Sequence, residues 1–487
     1  MATEHFDVVV MGAGLSGIGA GYHLQTECPD RSYVILEARD AIGGTWDLFR
    51  YPGIRSDSDM FTLGYGFRPW TGAKAIADGA SIREYIRETA RTFGIDRHIR
   101  YGHRIRSAAW SSADALWTVE VDTPQGARTF TCAFFVGCSG YYDYARGHAP
   151  HFAGAESFAG RIVHPQFWPD DLEFAGKRVV VIGSGATAVT LVPALAAKGA
   201  HVTMLQRSAS YVVALPAEDA FARRIRAWLP AGLAHRVIRA RSIVVQMAFY
   251  RLARWRPAAM RTKLAAMAQA RLGPDYDVAT HFTPSYDPWD QRMCLAPDGD
   301  LFDAINAGKA AVATDRVARF TRYGVALESG VELPADIIVT ATGLEILLLG
   351  GIALSVDGDA VDLANRYSYK GVMFSDVPNL ALVFGYTNAS WTLRADLASS
   401  YVCRLLNTMR RRGARQVTPR LGGRPVSALP FVDFTSGYIA RAAGKLPKQG
   451  DRRPWRMRQN YVADLLGLRF SRVDRDLEFS NPKTTVS

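Results

Sequence analysis

Cysteine is scarce in this sequence and never occurs in closely spaced pairs. The 487 residues include five cysteines, Cys28, Cys132, Cys138, Cys294 and Cys403. An odd number of scattered cysteines does not build a disulfide framework, and the lack of a C-x-x-C pair argues against a structural zinc site. It also removes the redox-active cysteine pair that a disulfide reductase would need.

Long apolar runs are missing as well. No stretch reaches the roughly 18 uncharged apolar residues that a membrane-spanning helix needs. The nearest, 337–354, contains Glu345 and several glycines. The first predicted strand is not preceded by a basic start and an apolar segment of the kind found in secretory leaders. The expected compartment is therefore the cytoplasm.

Aspartate and glutamate are absent from residues 221–272, which carry 12 Arg or Lys and account for the whole net charge of +12. Apolar residues recur there at helical spacing, and Pro230, Gly232 and Pro257 divide the segment into helices. The segment is either a helical lid with a basic solvated face or a surface for anionic lipid at the inner face of the cell membrane. Charge alone would permit nucleic acid, but no nucleic-acid-binding motif is present, so this partner is not expected.

Two stretches have the strand, glycine turn and helix order of a dinucleotide-binding unit. In the first, an apolar run leads into G-A-G-L-S-G at 12–17. Gly12 makes the turn, Gly14 lets backbone N–H groups approach a pyrophosphate, and Gly17 allows close helix–strand packing. Glu37 lies about 20 residues later, where a carboxylate accepts hydrogen bonds from ribose hydroxyls.

The second unit follows the apolar run 178–182 and has the turn pattern G-x-G-x-x-A at 183–188. Its next predicted strand ends at Gln206, Arg207 and Ser208, so the acidic ribose ligand is missing. A carboxylate would repel a 2′-phosphate, whereas arginine and serine can donate hydrogen bonds to it. The second nucleotide is therefore predicted to be NADPH rather than NADH.

The stretch between the two units carries Phe158, Gly160, His164, Trp168 and Pro169 at fixed intervals. This pattern, F-x-G-x-x-x-H-x-x-x-W-P, resembles the signature of type I Baeyer–Villiger monooxygenases; ordinary flavin-containing monooxygenases lack the Trp-Pro ending. Residues 43–57 also match a family pattern, G-G-x-W-x-x-x-x-Y-P-G-x-x-x-D, at every fixed position. The resemblance covers essentially the whole chain and is closest to the monooxygenases that activate thioamide prodrugs.

The resemblance implies FAD in the first unit, NADPH in the second, O2 as co-substrate and no metal. It places Arg292 beside the flavin as a catalytic residue and Asp57 as the carboxylate that holds it. Gln291 departs from the family, which often has a lysine there for the 2′-phosphate. The residues expected to contact FAD are Gly12, Gly14, Ser16, Gly17, Glu37, Gly44, Thr45, Trp46, Asp47, Asp57 and Ile105. Those expected to contact NADPH are Arg55, Ser56, Gly183, Ser184, Gly185, Ala186, Thr187, Ala188, Arg207 and Ser208.

The implied reaction begins with reduction of FAD by NADPH and formation of a C4a-peroxyflavin from O2. One oxygen is then inserted next to a ketone carbonyl to give an ester or lactone, and sulfides or thioamides can be oxygenated at sulfur. His164 and Trp168 are expected to couple the linker to domain closure. Two alternatives remain open: a flavin monooxygenase that acts only on nitrogen or sulfur, and a non-catalytic flavoprotein that binds a partner.

The predicted fold is α/β, with two Rossmann-like dinucleotide-binding domains and an inserted helical region. The expected division is an FAD-binding segment at 1–145, a linker at 146–175, an NADPH-binding segment at 176–215, the helical insertion at 216–300, a second NADPH-binding segment at 301–374, and a second FAD-binding segment with the C-terminal tail at 375–487.

Overall fold

The computed structural model describes residues 3–423, 425–432 and 434–482. The strands are β1 (Glu4–Met11), β2 (Tyr33–Leu36), β3 (Ile99–Arg100), β4 (Arg104–Ser111), β5 (Leu116–Thr123), β6 (Gly126–Gly137), β7 (Tyr142–Gly147), β8 (Arg161–Val163), β9 (Arg178–Ile182), β10 (His201–Gln206), β11 (Val212–Leu215), β12 (Cys294–Pro297), β13 (Ala310–Thr314), β14 (Val317–Thr321), β15 (Gly324–Leu327), β16 (Glu332–Pro334), β17 (Ile337–Thr340), β18 (Leu344–Ile346), β19 (Ala353–Val356), β20 (Asp359–Ala360), β21 (Ser368–Tyr369), β22 (Met373–Phe374), β23 (Leu380–Leu382), β24 (Gln416–Pro419), β25 (Ala428–Pro430), β26 (Lys448–Gly450) and β27 (Leu477–Ser480). The α-helices are α1 (Leu15–Glu27), α2 (Thr45–Leu48), α3 (Met60–Leu63), α4 (Gly79–Thr92), α5 (Ala186–Ala197), α6 (Ala220–Trp228), α7 (Ala231–Trp255), α8 (Pro257–Leu272), α9 (Val278–Phe282), α10 (Asp300–Asn306), α11 (Trp391–Arg412), α12 (Gly437–Ala442) and α13 (Tyr461–Asp464).

The first sheet has nine strands in the order β20-β19-β4-β5-β6-β1-β2-β3, and β23 also pairs with β6. β1 lies parallel between β2 and β6. Because successive side chains of a strand point to opposite faces, Val8 and Val10 pack into one hydrophobic core while Val9 packs into another. The first core includes residues of α1, α4 and α11, so both faces of the central strands are covered.

The second sheet is parallel, in the order β13-β10-β9-β17-β8. Its central strand, β9, is apolar at Val179, Val180 and Val181, and these residues are buried in cores on both faces. Helices α5 and α10 contribute to one core, and the three-stranded antiparallel sheet β14-β15-β16 contributes to the other. The predicted α/β fold with two Rossmann-like units is confirmed.

Two of the predicted segments are divided differently in the structure. The segment 301–374 does not stay with the second sheet, because β19 pairs with β4 of the first sheet and β20 pairs with β19. The chain returns to the first sheet through β18, which pairs with β7 across the connection between the two sheets. The predicted linker 146–175 also contains an edge strand, since β8 pairs with β17.

The predicted insertion is helical and lies between two short paired strands. β11 and β12 run parallel at its two ends, and α6, α7, α8 and α9 lie between them. Pro230 immediately precedes α7 and Pro257 is the first residue of α8, so the helix breaks fall where the prolines predict them. None of the helices in the described ranges combines the length and apolarity needed to cross a membrane.

A largely buried charge cluster joins α1 to α11. His23 pairs with Glu27 at 2.7 Å and with Asp396 at 3.8 Å, and Asp396 pairs with Arg239 of α7 at 3.7 Å. Burial alone would lower the pKa of His23, but its interactions with Asp396 and Glu27 outweigh burial and raise the pKa to about 9. His23 is therefore an imidazolium at neutral pH.

Deprotonation of the His23 imidazolium should make the thermal stability of the folded protein depend on pH. Because the pKa of His23 is raised in the folded protein, its stabilisation is complete below the ordinary value of 6.5 and is lost as the pH rises through about 9. We expect the melting temperature of the unsubstituted protein to exceed that of His23→Gln most at about pH 6, with the difference shrinking as the pH rises and the two converging by about pH 10. Calorimetry across this range measures the difference, and a gap that stays constant with pH would contradict the assignment.

Candidate functional site

The glycine turn after β1 forms one wall of a cavity of about 360 Å³. Gly12 has a φ of +97°, and a Cβ there would lie 2.9 Å from the Cys138 carbonyl oxygen. Gly44 has a φ of +57°, and its Cβ would lie 3.0 Å from the Cα of Gly14. Both turns therefore require glycine, and together they leave a narrow slot that a side chain would fill.

Glu37 is buried at the end of β2 and lines the same cavity. Its carboxylate accepts hydrogen bonds from the backbone N–H of Ala13 at 2.7 Å and of Arg39 at 2.9 Å. Burial raises the pKa of the Glu37 carboxyl, although these two hydrogen bonds and the attraction of Arg39 act in the opposite direction. Each carboxylate oxygen has a further lone pair, so Glu37 can accept hydrogen bonds from ligand hydroxyls while its position is fixed.

The first cavity brings together most of the residues predicted to contact FAD. Gly17 lies behind its wall, where a Cβ would be 1.9 Å from the Gly12 carbonyl oxygen, as close helix–strand packing requires. The predicted residues in the lining are Gly12, Gly14, Ser16, Glu37, Gly44, Thr45, Trp46 and Ile105.

Asp47 has a different environment from the one predicted. It is buried and pairs with Arg39 at 2.6 Å, Arg50 at 3.2 Å and Arg83 at 3.3 Å. Burial raises the pKa of the Asp47 carboxyl, but the three arginines outweigh burial and lower it. Asp47 therefore ties α2 to its surroundings and is outside the described lining of the first cavity.

Two aromatic residues of this cavity, Tyr141 and Trp391, were not predicted from the sequence. Trp391 is the first residue of α11, and its indole N–H donates to the Ser16 hydroxyl at 2.7 Å. Its ring stacks on Tyr141, with centroids 5.3 Å apart. Residues 375–487 were predicted to return to the FAD-binding domain, but no local pattern in the sequence indicated the contact of Trp391 with the glycine turn.

A second cavity, of about 800 Å³, lies at the glycine turn after β9. A Cβ on Gly183 would be 2.4 Å from the Ala341 carbonyl oxygen, whereas a Cβ on Gly185 would meet no atom within 4 Å. Gly183 thus permits the turn, and Gly185 leaves open space at the helix N-terminus. Ala188 lies in the core behind the turn. The residues predicted for NADPH in this lining are Gly183, Ser184, Gly185, Ala186, Thr187, Arg207 and Ser208.

Two arginines come together in the second cavity. Arg207 follows β10, and Arg441 comes from α12, far along the chain. Burial lowers the pKa of Arg441, and repulsion from Arg207 lowers it further, while Glu345 opposes both. Gln206, which precedes Arg207 in the sequence, is buried and donates to the His281 carbonyl oxygen and the Thr314 hydroxyl. Residues 206–208 therefore place a cation and no acid at this end of β10, although Asp57, Asp315 and Glu328 also line the cavity.

Arg55 and Ser56 were predicted to contact NADPH, but neither lines the second cavity. Arg55 pairs with Asp300 and donates to the Leu295 carbonyl oxygen at 3.0 Å. Ser56 donates to the Ser58 carbonyl oxygen at 2.8 Å. Neither side chain belongs to the described lining: Arg55 fixes the loop against β12 and α10, and Ser56 fixes a turn within the loop.

Arg292 and Tyr142 are the two described residues that line both cavities. The exposed surface of Arg292 faces these cavities. Burial lowers the pKa of Arg292, but the acidic groups around it, Tyr141 and Asp57 first among them, outweigh burial and raise it. The hydroxyls of Tyr141 and Tyr142 lie 2.7 Å apart. A permanent cation thus stands where the two cavities meet.

The helical insertion holds the loop that carries Arg292. Asp287 pairs with Arg261 of α8 at 2.7 Å, and Asp290 pairs with Arg254 of α7 at 2.5 Å. Between them, Trp289 adopts a φ of +73° and packs edge-on against Tyr250 of α7. Two cations of the basic segment therefore have a structural role in fixing this loop.

Asp57 lines the second cavity rather than the first. Burial raises the pKa of its carboxyl, while attraction to Arg292 and Arg55 acts in the opposite direction. None of the ion pairs among residues 3–423, 425–432 and 434–482 joins Asp57 to Arg292, so the predicted direct pairing is not formed. Asp57 acts on Arg292 through the electrostatic field at longer range.

The linker residues lie at the crossing between the two sheets. His164 Nε2 lies 3.3 Å from the Gly343 carbonyl oxygen, and a Cβ on Gly147 would be 2.0 Å from the His164 ring. The His164 side chain thus touches both chain segments that connect the domains, one at Gly147 and the other at Gly343. Burial lowers the pKa of His164, against its hydrogen bonds to Gly343 and His148, so it is neutral near pH 7. Trp168 packs on the core of the second sheet and edge-on against Phe174.

Both cavities fit a dinucleotide. The first offers the slot between Gly14 and Gly44 and the buried carboxylate of Glu37; the second offers open space at Gly185 and the cation of Arg207. Within the described part of the chain, no three His, Cys, Asp or Glu side chains come together as a metal site.

The sequence has close relatives among known proteins. Residues 75–247 match the flavin-binding monooxygenase-like family, and residues 10–84 match an NAD(P)-binding Rossmann-like domain. The FAD-containing monooxygenase EthA of Mycolicibacterium smegmatis is 56% identical over 487 residues, covering 100% of this chain and 99% of that protein. EthA of Mycobacterium tuberculosis is 54% identical, covering 97% of each chain.

Solved structures share the fold at lower identity. An open structure of cyclohexanone monooxygenase has a TM-score of 0.74 and 22% identity, covering 98% of this chain and 100% of that one. Oxidised steroid monooxygenase bound to NADP has a TM-score of 0.71 and 22% identity, covering 86% and 88%. The resemblance found in the sequence is thus confirmed at the level of fold and family, and the non-catalytic alternative is set aside. The chain belongs to the family of flavin-binding, FAD- and NADPH-dependent monooxygenases.

Proposed function

We propose that this monooxygenase inserts oxygen next to ketone carbonyls, as Baeyer–Villiger enzymes do, and also oxygenates sulfides or thioamides. The main support is the position of Arg292, a permanent cation at the junction of the two cavities. Baeyer–Villiger oxidation develops negative charge on the transferred oxygen and on the ketone oxygen. A fixed cation in an enclosed site stabilises both without solvent reorganisation.

Bound FAD, once reduced by NADPH, would supply the electrons that activate O2, the source of the inserted oxygen atom. Arg292 stabilises the developing anion, and Asp57 limits the positive field without neutralising it. Tyr141 and Tyr142 line the first cavity beside Arg292, with their hydroxyls joined by a hydrogen bond. The proposed FAD contacts are those of the first cavity lining, and the proposed NADPH contacts are those of the second.

We assign the two sheets and their segments to the two nucleotides. The FAD domain comprises 1–145 and the C-terminal part of the chain from about residue 344, and the NADPH domain comprises the strands of the second sheet. His164 bridges Gly147 and Gly343 at the crossing, so rotation of the domains changes its surroundings. This geometry supports a role for His164 and Trp168 in coupling the linker to closure, without proton transfer.

A substrate panel tests the chemistry. Purified holoenzyme should convert cyclic and aliphatic ketones to esters or lactones with stoichiometric NADPH and O2 consumption, identified by mass spectrometry, and should convert sulfides to sulfoxides. Sulfoxide formation without any ester from ketones would favour the alternative, a flavin monooxygenase restricted to nitrogen and sulfur.

We also propose that residues 221–272 touch an anionic membrane surface peripherally. Trp228 is 82% exposed and Trp255 is 71% exposed, and Arg256 lies over the Trp255 ring. Exposed tryptophans beside cations suit the interface of a bilayer. The holoenzyme should sediment with anionic vesicles at low salt, and Trp228→Ala/Trp255→Ala should not. Equal sedimentation of both proteins, or none at low salt, would end this proposal.

A further inference from the structure

A third cavity, of about 570 Å³, lies in the C-terminal part of the chain. Lys370 and residues 453–475 form it, and it shares no described lining residue with either dinucleotide cavity. It is therefore a separate place on the molecule, unused by the proposed reaction. Its cationic lining residues are Lys370, Arg453, Arg456, Arg458, Arg472 and Arg475.

The two carboxylates in the lining are already compensated. Asp464 pairs with the buried Arg394, and Asp474 pairs with Arg412 at 2.7 Å and Arg472 at 3.2 Å. The other arginines of the lining form no ion pair with any residue in the described ranges; they are Arg453, Arg456, Arg458 and Arg475. The cavity lining therefore holds excess positive charge, with six cationic side chains against two carboxylates.

Lys370 forms the half-buried floor of this cavity. Its ammonium donates to the Gly467 carbonyl oxygen at 3.1 Å, the Ser471 hydroxyl at 3.0 Å and the Arg472 carbonyl oxygen at 3.3 Å, so its position is fixed. Burial lowers the pKa of Lys370 to about 8, and repulsion from Arg404 and Arg475 contributes, with Asp474 opposing. A bound anion would relieve this repulsion.

We propose that this cavity binds a phosphate-bearing anion. Arginine guanidinium groups suit phosphate because their planar N–H pairs match two oxygens of the group at once. Several unpaired arginines around one concave site repel one another in the free protein, and a multivalent oxyanion offsets that repulsion. A carboxylate ligand would present fewer oxygens to the same number of donors.

The phosphate can come from a free metabolite or from a lipid headgroup. One wall of the cavity is the helical segment 461–470, which lines it with Asp464, Gly467 and Leu468. On the same segment, Leu466 is 56% exposed and Phe470 is 67% exposed. If the ligand is a lipid, its phosphate headgroup would bind in the cavity while Leu466 and Phe470 contact its apolar part. If the ligand is a free phosphate compound, it would bind in the cavity without contacting these two side chains.

Calorimetric titration with inorganic pyrophosphate tests the site. The FAD holoenzyme is kept saturated with NADP+, so that the dinucleotide cavities cannot take up the probe. We expect one binding event, weakened at least tenfold in Arg456→Gln/Arg475→Gln because hydrogen bonds to charged groups are lost. Arg319→Gln, an exposed arginine on β14 outside this cavity, should bind like the unsubstituted protein. FAD content and NADPH oxidation should be the same in all three proteins.

Vesicles distinguish the two sources. Sedimentation is measured in the Trp228→Ala/Trp255→Ala background, which removes the proposed membrane contact of residues 221–272. Binding of that protein to phosphatidylcholine vesicles containing phosphatidylglycerol, lost on adding Arg456→Gln/Arg475→Gln and absent with pure phosphatidylcholine, would identify a lipid headgroup. Pyrophosphate binding without such vesicle binding would identify a free phosphate. The proposal is wrong if the protein with intact Arg456 and Arg475 binds neither pyrophosphate nor, in the Trp228→Ala/Trp255→Ala background, the vesicles, or if Arg456→Gln/Arg475→Gln weakens the binding of neither.

Discussion

Arg292→Ala should oxidise NADPH at a near-normal rate and release hydrogen peroxide in place of oxygenated product. The side chain lines both cavities, so its removal leaves the two dinucleotide turns in place but removes the cation from their junction. One such electrostatic contact is worth about 3 kcal/mol in an enclosed site, so we expect at least a hundredfold loss of product per NADPH consumed. Parallel assays of NADPH, peroxide and ester or sulfoxide measure this uncoupling.

Arg292→Lys provides the matched control for charge. A lysine keeps the positive charge but loses the planar pair of donors, so its product yield should lie between those of Arg292→Ala and the unsubstituted enzyme. Normal product yield from Arg292→Ala would remove this residue from the mechanism. Loss of flavin from the variant would show a structural role instead, and absorbance of the bound flavin detects that case.

Much of the fold could be predicted because its signals are local. The apolar runs ending at Met11 and Ile182 and the glycine turns after them form β1 and β9 with their helices, as predicted. The predicted segment 301–374 contributes strands to both sheets in the structure, because β19 pairs with β4. That pairing joins residues 246 positions apart in the sequence. Nothing in the sequence of so short a strand indicates which sheet it will join.

The site was predictable where a family motif named the residue and not where tertiary packing decides. Arg292 and Arg207 followed from motif and position, and both line the expected cavities. Arg55 looked equally suitable, but Asp300 lies within reach and pairs with it. Trp391 and Arg441 enter the two cavities from distant parts of the chain, so no spacing rule could have identified them.

Arg207→Ala should raise KM for NADPH by roughly ten- to a hundredfold while changing KM for NADH little, because a charge-assisted hydrogen bond to the 2′-phosphate is lost. Arg207 lies exposed in the second cavity, Gln206 is turned into the protein, and Arg441 is close enough to feel its charge. Arg441 remains in the variant, so some preference for NADPH should persist. Steady-state kinetics with both nucleotides measure the ratio, with Arg319→Ala as an exposed arginine outside the cavity for comparison. Equal increases in KM for NADPH and NADH would mean that Arg207 contacts a part common to both nucleotides, and would contradict its assignment to the 2′-phosphate.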